Sequence, residues 1–555
     1  MPGDINTSVL IVGAGPVGLT LALDLAWRGI DVTVVELRHA GEPPSVKCNQ
    51  ISARSMEIFR RLGIAGKLRD AGLPPDYPND VVSATSVTGI ELARVSIPSR
   101  SERYRAKVGP DTWWPTPEPT HRINQKYFEP ILFACASANP RIEILNRVVF
   151  DDFVQDERGM TAAIHDLNSG EKRSIAASYL IGCDGAKSSV RKKIGAKLIG
   201  TAEVQRVQST YIRAPDLIGR LPGKPAWMYF SLNPRRCGTT IAIDGGETWQ
   251  VHNTLNVGED HFDSVDRDEA IRTILGVGPD FRYEIISKGD YIGRRLVADS
   301  FRDRRVFICG DAAHLWIPHA GYGMNAGIAD AANLSWMIAG VLAGWAPPAI
   351  LDAYEAERKP IASQVASFTE SSARNASAQR RGVSCEIEWP GRSGDEARQR
   401  IGREAYNHAV QRQCAGGLNF GYFYEESPII AYDGERPPPY TMSDFTPSTV
   451  PGCRVPHVWL DDGQSLYDAL GQQYTLIRLD PAIGVDGIVS AAARRGLHLP
   501  VLDIATPDVH TLYARKLVLV RPDQHVAWRS DVEPVNPADL IDLIRGACQR
   551  PTIRR

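Results

Sequence analysis

The sequence predicts an α/β fold with a parallel-sheet domain, an interleaved β-sheet layer and a compact C-terminal α/β domain. Residues 8–13 form an apolar run of strand length, and a Gly-x-Gly-x-x-Gly turn joins it to a helical pattern over residues 16–28. Residues 200–295 alternate mostly between apolar and polar side chains, as strands of a half-buried sheet do. After a proline-rich linker at residues 437–451, strand and helix patterns alternate toward the C-terminus. A chain of 555 residues is long enough for two or three such domains.

The glycine-rich turn of the first unit predicts a dinucleotide site. Gly13, Gly15 and Gly18 allow a tight turn and the close approach of a pyrophosphate to the start of a helix. A second strand over residues 31–36 ends in Glu36, which can accept hydrogen bonds from ribose hydroxyls. We therefore favour nucleotide binding over a purely structural turn. Glu36 also disfavours a 2′-phosphate in this pocket, because the two negative charges would repel each other.

The elements that follow are predicted from periodicity. Residues 74–120 are rich in proline and serine and predict irregular structure, in which Trp113 and Trp114 form either a lid or a packed surface loop. Residues 148–180 predict strands. The expected helices run over residues 51–62, 127–138, 353–376 and 398–414.

Two further segments carry acidic residues directly after predicted strands. Asp184 follows a strand over residues 179–182, where an Asp-Gly turn and a serine cap are the alternative interpretation. Asp311 follows a strand over residues 306–309 and precedes a glycine-rich entry into a helix of small residues. A helix start offers free N–H groups and partial positive charge, so this place suits a phosphate or a reduced isoalloxazine. The alternative for Asp311 is a turn or cap residue.

The composition excludes several classes of protein. A net charge of −2 gives no basic field for nucleic acid. The nine cysteines are scattered without a Cys-x-x-Cys pair, which indicates reduced thiols, no zinc ribbon and a cytoplasmic protein. The apolar stretches at residues 8–27 and 334–345 are interrupted or too short to span a membrane. His314 and His319 lack the further ligands of a metal site, and no metal is expected.

Together the three motif segments resemble the class A flavoprotein aromatic hydroxylases, which are single-component FAD monooxygenases, over residues 8–370. The resemblance implies a Rossmann-like FAD-binding domain interleaved with a β-sheet substrate domain. It also assigns Arg54 and Gln125 to FAD, and it places Pro318 and the helix start at residues 321–325 against the flavin ring. The implied FAD-binding residues are Gly13, Gly15, Gly18, Glu36, Arg54, Gln125, Asp184, Asp311, Gly321, Gly323, Met324 and Asn325.

The C-terminal segment is similar to the thioredoxin-like domain of the phenol-hydroxylase-like subgroup. Pro451-Gly-Cys-Arg-Val-Pro-His and the stretch from Leu519 to Arg529 carry this likeness, but the redox cysteines are absent, so a structural or dimer-stabilising role is expected. The implied FAD-binding domain covers residues 1–75, 100–195 and 285–395. The implied substrate domain covers residues 76–99 and 196–284, followed by a connector at 396–450 and the thioredoxin-like domain at 451–555.

The resemblance implies an NAD(P)H-dependent hydroxylase of a phenolic or aromatic substrate. NADH or NADPH would bind transiently, since the chain has a single dinucleotide fingerprint, and O2 would give a flavin C4a-hydroperoxide that attacks the ring. The candidate catalytic residues are His252, Tyr211, Arg213 and Tyr229 on the presumed substrate sheet, and Pro318 in the loop that faces the flavin. A lone histidine in a strand is more often a satisfied structural residue, which is the alternative for His252.

Two other functions stay open at this point. The same scaffold could perform Baeyer–Villiger or epoxidation chemistry on a polyketide-like substrate. A flavin-free binding protein of the GTPase-dissociation-inhibitor fold is the remote alternative, and it would not need Asp311 with the following helix start. The expected partner is a small aromatic molecule, with no nucleic acid and no membrane, in a homodimer or higher homo-oligomer.

Overall fold

Three β-sheets organise the chain, which a computed structural model describes over residues 5–112, 114–505 and 507–548. Trp113 and the side chain of His319 lie outside the described residues. The strands, numbered β1 to β21 in chain order, are Ile5–Val12, Val32–Glu36, Val81–Ala84, Glu91–Val95, Ile142–Asn146, Val148–Gln155, Met160–Asp166, Lys172–Gly182, Leu198–Arg213, Met228–Ser231, Gly238–Ala242, Thr248–Thr254, Glu284–Lys288, Tyr291–Ala298, Arg302–Asp303, Val306–Ile308, His314–Trp316, Thr475–Arg478, Val501–Asp503, Leu517–Val520 and Val526–Ser530.

Helices cover the faces of these sheets. In the described residues the α-helices, numbered α1 to α13 in chain order, are Pro16–Trp27, Ala53–Arg61, Ala65–Arg69, Gln125–Ser137, Ser189–Lys193, Arg267–Leu275, Tyr322–Leu342, Asp352–Arg381, Arg392–Gln413, Leu466–Ala469, Asp486–Ala493, Pro507–Tyr513 and Pro537–Ile544. In the described parts of the chain, no helix combines the length and apolarity needed to cross a membrane.

The first sheet has eight strands, and its main path runs β15-β16-β8-β1-β2-β5. Strands β16, β8, β1, β2 and β5 are parallel neighbours, whereas β6 and β7 join β8 as antiparallel additions. Residues Val9–Val12 of β1 are all buried, as expected for a central strand of a parallel sheet that is covered on both faces. This arrangement confirms the predicted α/β class and gathers the carboxyl ends of the parallel strands at one edge.

The second sheet has nine strands and contains features that the sequence patterns did not predict. Strands β3 and β4 lie inside the stretch predicted as irregular, where β3 pairs in parallel with β10. Helix α6 interrupts the region predicted as strands and packs on β11 and β12. Strands this short carry too little periodicity to be distinguished from a loop. The predicted domain boundaries stay predictions, although β13 and β14 continue this sheet past residue 285.

Helix α9, predicted as a connector, packs directly on the second sheet. Gly402 lies so close to β4 that an added Cβ would be 2.3 Å from the carbonyl oxygen of Leu92. Ala409 and Cys414 extend the same contact into the core formed around Trp249. The helix therefore forms part of the wall over this sheet.

The C-terminal domain has the four-stranded sheet β19-β18-β20-β21, in which only β18 and β19 are parallel. Its core is continuous with that of the first sheet, because Tyr474 packs edge-on against Trp336 and Trp345. Its cysteines, Cys453 and Cys548, are free thiols. The domain is thus fixed to the first half of the chain by shared apolar packing.

A buried ion network also joins the two halves. Arg521 follows β20, and its guanidinium donates to both carboxylate oxygens of Glu357 in α8, at 2.5 and 2.7 Å. It donates in addition to Asp523 at 2.8 Å, and Asn333 of α7 donates to both acids. All of these side chains are buried. Breaking such a network leaves a charge without compensation in the interior.

We therefore expect Arg521→Met to destabilise the protein by about 3–5 kcal/mol, because Glu357 and Asp523 would lose their shared cation. The measurement is the urea midpoint of unfolding. Arg392→Met, which removes an exposed partner of Glu396, is the control and should shift stability by less than about 0.5 kcal/mol. Equal midpoints for the two variants would contradict the importance of this network.

Candidate active site

The predicted motifs meet at the carboxyl edge of the first sheet. Where β1, β8 and β16 end, the chains stay hydrogen-bonded: Cys183 N donates to Val12 O at 2.8 Å, and Cys309 N donates to Gly182 O at 3.0 Å. Clefts outside the carboxyl ends of parallel strands are the usual ligand sites of such sheets. The three segments that are distant in sequence therefore border one crevice.

The glycines of the first turn have different tasks. An added Cβ at Gly13, whose φ is +104°, would lie 2.5 Å from Cys183 O, and one at Gly18 would lie 2.0 Å from Gly13 O. These two glycines permit close packing of backbone on backbone. A Cβ at Gly15 would meet nothing within 4 Å, and Gly15 caps α1 without any side-chain acceptor. The start of α1 is consequently open to an anionic ligand.

Glu36 lies beside this turn and is held by backbone donors. Its carboxylate accepts from Ala14 N at 2.6 Å and from Arg38 N at 2.9 Å. Burial works to raise the pKa of Glu36, but hydrogen bonds from Arg38 outweigh it and hold the pKa below its usual range. Arg38 also pairs with Glu129 at 2.8 Å, and Gln125 donates to Glu129 at 2.6 Å. The structure thus links predicted residue Gln125 to Glu36 through one polar chain.

The two carboxylate oxygens of Asp184 differ in their hydrogen bonds. Its Oδ2 accepts from the N and Oγ of Ser189, at 2.7 and 2.9 Å, while Ser188 Oγ caps α5, as the capping interpretation predicted. The Oδ1 atom is buried and has no hydrogen-bond partner among the residues that the structure describes. Arg191 of the same segment donates to Ala312 O at 3.0 Å and so joins the Asp184 turn to the Asp311 turn.

Asp311 lies in a short 3-10 turn that follows β16. Its side chain is accessible to solvent, yet the surrounding protein raises the pKa of the carboxyl by desolvation, an effect that His314 and Lys47 oppose. An accessible carboxyl group that the surrounding protein desolvates is typical of a cleft. This placement suits a hydrogen bond to a hydroxyl group of a bound ligand.

Asp330 of α7 fixes this turn and was not identified from the sequence. Its carboxylate accepts from Gly310 N at 3.1 Å, from His314 Nε2 at 2.7 Å and from Arg358 Nε at 2.7 Å. Burial works to raise its pKa, but His314 and Arg358 hold the pKa below the usual range. A lone carboxylate in the apolar run of a small-residue helix was the available signal.

The start of α7 is held open by its neighbours. Ala320 and Gly321 adopt left-handed conformations with φ of 59° and 60°, and no side chain caps the helix. Asn325 is turned inward, where it accepts from Ser52 N at 2.8 Å and donates to Gly321 O at 2.7 Å. The amide of Gln50 donates to Ala320 O. The first backbone N–H groups of α7 are therefore available to a ligand.

The other predicted residues of this segment lie around that helix start. Pro318 is exposed and precedes the left-handed pair. A Cβ added to Gly323 would lie 3.8 Å from the indole nitrogen of Trp316. This nitrogen is buried and has no hydrogen-bond partner among the described residues. Met324 is partly buried against the main core.

Arg54, which the resemblance assigns to FAD, contacts the C-terminal domain in the structure. Its guanidinium is buried, pairs with Glu57 at 3.3 Å and donates to the side chain of Gln524 and to Asp523 O. Glu57 in turn pairs with Arg454 at 2.6 Å. Arg54 therefore joins α2 to the C-terminal domain. The sequence motif could not predict this contact, because it does not record that the domain packs over the helix.

The substrate candidates divide between the two faces of the second sheet. In the register of β9 and β12, Gln250 lies opposite Tyr211 and His252 lies opposite Ser209, so these side chains share one face. Tyr229 points to the other face, where its hydroxyl accepts from the backbone of residue 226 and its ring packs on Trp249. Tyr229 is accordingly a core residue.

Arg213 lies two residues beyond Tyr211 on the same face, but at the solvent-exposed end of β9. It forms a half-exposed ion pair with Glu247 at 2.7 Å. Trp114 packs against the core of the second sheet and donates to Asp111 at 2.5 Å. Of the sequence candidates, Tyr211 and His252 remain together, and Lys126 donates to the Tyr211 hydroxyl at 3.1 Å.

His252 is held as a neutral imidazole. Burial lowers its pKa to about 4, its Nδ1 is buried without a hydrogen-bond partner, and its ring meets Tyr291 edge-on. Such a group accepts or donates a hydrogen bond, but it is too weak a base to remove a phenolic proton fully.

A single dipeptide connects the helix start to this sheet face. Asn49 donates to Gln250 Oε1 at 3.0 Å, and its neighbour Gln50 donates to Ala320 O at the start of α7. Gln250 donates in return to Val46 O at 2.7 Å. The crevice of the first sheet and the Tyr211–His252 face of the second sheet are thus adjacent. Gln250 is a residue that sequence reasoning missed, since glutamines in strands carry no motif.

The crevice fits an FAD molecule by its chemistry. The open cradle at Gly15 and the uncapped start of α1 match a pyrophosphate, and Glu36 matches a ribose. The unpartnered Oδ1 of Asp184 and the accessible Asp311 supply acceptors for hydroxyl groups.

Comparison with known proteins agrees with this geometry. Family profiles for the FAD binding domain and for the aromatic-ring hydroxylase C-terminal domain match residues 6–369 and 448–551. The chain is 30% identical to the FAD-dependent monooxygenase apdD of Emericella nidulans, over 96% of this chain and 89% of the relative. It is 28% identical to phenol 2-monooxygenase of Pseudomonas sp., over 99% and 94% of the two chains.

A solved structure extends the likeness to the whole fold. Native and K252c-bound RebC-10x aligns with a TM-score of 0.89 and 34% identity, covering 98% of this chain and 100% of that one. The profile of the FAD binding domain spans more than half of the chain and includes all three motif segments. The chain therefore belongs to the FAD-dependent monooxygenases in which an FAD binding domain is followed by an aromatic-ring hydroxylase C-terminal domain, and FAD is its cofactor.

Proposed function

We propose that the protein is an NAD(P)H-dependent monooxygenase that hydroxylates a phenolic or aromatic substrate. The observation that carries this proposal is the Asn49–Gln50 contact, which sets the start of α7 beside the Tyr211–His252 face. A ring on that face would lie next to the part of the crevice suited to a flavin. The similarity to phenol 2-monooxygenase supports the same class of substrate.

The residues of the crevice have distinct proposed tasks. When bound, FAD supplies the redox chemistry that accepts electrons from a nicotinamide and activates O2. Glu36 and the start of α1 hold the adenosine and pyrophosphate end, while Asp184 and Asp311 accept hydrogen bonds from hydroxyl groups. The uncapped start of α7 stabilises negative charge that develops at its N–H groups.

On the substrate side, the proposed tasks are orientation and exclusion of water. The neutral His252 offers a hydrogen bond to a phenolic hydroxyl, and Gln250 Oε1, which accepts one hydrogen bond from Asn49, can accept a second from that hydroxyl. Lys126 brings a positive charge to the Tyr211 hydroxyl, and that charge favours an electron-rich phenolate nearby. The buried aliphatic side chains of this face, among them Ile241 and Met228, favour an apolar ring.

A panel of phenols with purified holoenzyme is the direct test of the function. We expect at least one phenol to stimulate the oxidation of NADH or NADPH and to gain one oxygen atom from 18O2, as measured by mass spectrometry. If no phenol stimulates oxidation or gains oxygen, the hydroxylase proposal fails. A product with oxygen inserted into a carbon–carbon bond would identify Baeyer–Villiger chemistry instead, and an epoxide product would identify epoxidation.

The role of Asp311 is tested by the affinity for FAD. Asp311→Ala should weaken FAD binding about ten- to a hundredfold, since a hydrogen bond to a charged group contributes about 1.5–3 kcal/mol. The measurement is a fluorescence titration of the apoprotein. The control is Asp31→Ala, which should keep the wild-type affinity. Asp31 directly precedes β2, at the end away from Glu36, and pairs with Arg141 on the surface. An unchanged affinity of the Asp311 variant would remove this residue from the site.

The state of His252 predicts a particular pH behaviour. Because its pKa is lowered to about 4, the imidazole is neutral throughout pH 6–8, and kcat/KM should show no inflection from His252 there. His252→Phe should lower kcat/KM about tenfold, equivalent to the loss of one hydrogen bond, without altering the pH profile. Tyr229→Phe on the other face should keep kcat/KM within about twofold. An inflection near pH 6.5 that His252→Phe abolishes would show that the histidine titrates.

A further inference from the structure

A small cavity of about 30 Å³ continues the substrate face beyond His252. Its floor includes Phe230 and Thr239, and Thr239 lies directly opposite His252 in the sheet register. His252 lies two residues from Gln250 on β12, which is about 7 Å along the strand. The cavity therefore starts one side chain beyond the Gln250 contact. Helices α8 and α9 form its other wall. This volume corresponds to about two water molecules, which is room for a small polar group such as a carboxylate.

Two arginines on that wall lack any acidic partner in the described structure. Arg380 of α8 makes one long hydrogen bond to Thr254, at 3.4 Å, and Arg412 of α9 lies over the Phe230 ring at 4.6 Å. Neither forms an ion pair with a described carboxylate, and no Asp or Glu is among the described residues that line the cavity. The charge of Arg380 is close enough to lower the pKa of Arg412, after burial itself.

Other arginines in the same region have acidic partners, unlike Arg380 and Arg412. Arg235 pairs with Glu388 at 2.6 Å, Arg236 pairs with Glu259 at 2.8 Å, and Arg398 pairs with Asp395 at 2.5 Å. Desolvated guanidinium groups are normally compensated in this way, because an unpaired charge away from water costs several kcal/mol.

Further donors on the wall also lack acceptors. Arg412 Nε, Gln379 Nε2 and His408 Nδ1 are buried nitrogen atoms that have no hydrogen-bond partner in the described part of the chain. The nearest acid to His408 is Glu404, one turn earlier on α9 and exposed. The wall therefore offers two positive charges and several N–H groups to whatever occupies the cavity, which is the donor set that recognises a carboxylate.

We propose that Arg380 and Arg412 bind a carboxylate group of the substrate, so that the protein acts on an aromatic acid whose phenolic end points toward His252. The inference rests on the proposed function for the aromatic part of that substrate. The carboxylate compensates the charges of both guanidinium groups. With the carboxylate held there, the ring would lie along the sheet between the arginines and the start of α7. Arginine provides paired donors for this purpose, which a lysine would not.

The test is equilibrium binding to holoenzyme of two probes that differ only in charge, 6-hydroxy-2-naphthoate and 6-hydroxy-2-naphthamide. The wild type should bind the acid at least about tenfold more tightly than the amide, as expected for a hydrogen bond to a charged group. Arg412→Met and Arg380→Met should each reduce that ratio about tenfold. Arg381→Met, on the next residue of α8 and exposed, should keep it. FAD content verifies folding, and Arg412→Gln replaces Arg412→Met if that variant loses FAD.

The outcomes separate this inference from the proposed function, because binding does not require turnover. Equal affinity of the wild type for acid and amide overturns the inference, even if neutral phenols are hydroxylated. Variants that weaken NADPH binding but keep the acid-to-amide ratio also overturn it, since the arginines would then serve the coenzyme. A preserved preference for the acid that depends on both arginines supports it, whether or not 6-hydroxy-2-naphthoate itself gains oxygen.

Discussion

The buried carboxylate of Asp330 is the interaction on which the geometry of the crevice depends. It binds the backbone N–H of Gly310, the ring of His314 and the guanidinium of Arg358, so it fixes both ends of the turn that carries Asp311. Removing this acid would leave Arg358 charged and unpaired in the interior, where the cost is large. The same three bonds tie α7 to α8 and to the first sheet. The position of Asp311 is therefore set by a residue that need not touch a ligand.

Close contact between backbones provides the second constraint. An added Cβ at Gly327 would lie 2.9 Å from the Cα of Gly310, and one at Gly310 would lie 3.0 Å from Val17. Helices α1 and α7 can approach the strand ends only because these positions are glycine. The crevice is consequently shaped by main-chain atoms, which suits a constant cofactor. The substrate face is shaped by side chains such as Gln250 and His252, which can vary without altering the cofactor side.

The C-terminal domain supports this arrangement from outside. Arg54 and Arg521 reach the domain boundary from opposite directions, and each is satisfied by buried oxygen atoms across it. Asn333 of α7 contributes to the same network. Because α2 and α7 both border the crevice, the packing of the domain stiffens elements that the proposed function needs. This structural task does not require the redox cysteines that the domain lacks.

The cofactor side was largely predictable from the sequence, because it depends on local signals. Glycine spacing after a strand, an acid at the end of the next strand and a glycine-rich helix start are short motifs with direct physical causes. The parallel sheet then forces those strand ends to one edge. Asp330 was missed because a buried carboxylate has no spacing rule, although its isolation in an apolar helix was visible. The contacts of Arg54 with Gln524 and Asp523 were not predicted, because they depend on a domain far along the chain.

By itself, the sequence determined the α/β class, the nucleotide-binding turn and the acids that border the crevice, since each follows from local periodicity and backbone geometry. Only the tertiary structure decided which face of the second sheet meets that crevice. It separated Tyr229 from His252 by the register of neighbouring strands, and it brought Arg380 and Arg412 together from two helices. The physical reason is that side-chain direction in a sheet and charge compensation between helices depend on long-range pairing, which no local pattern records.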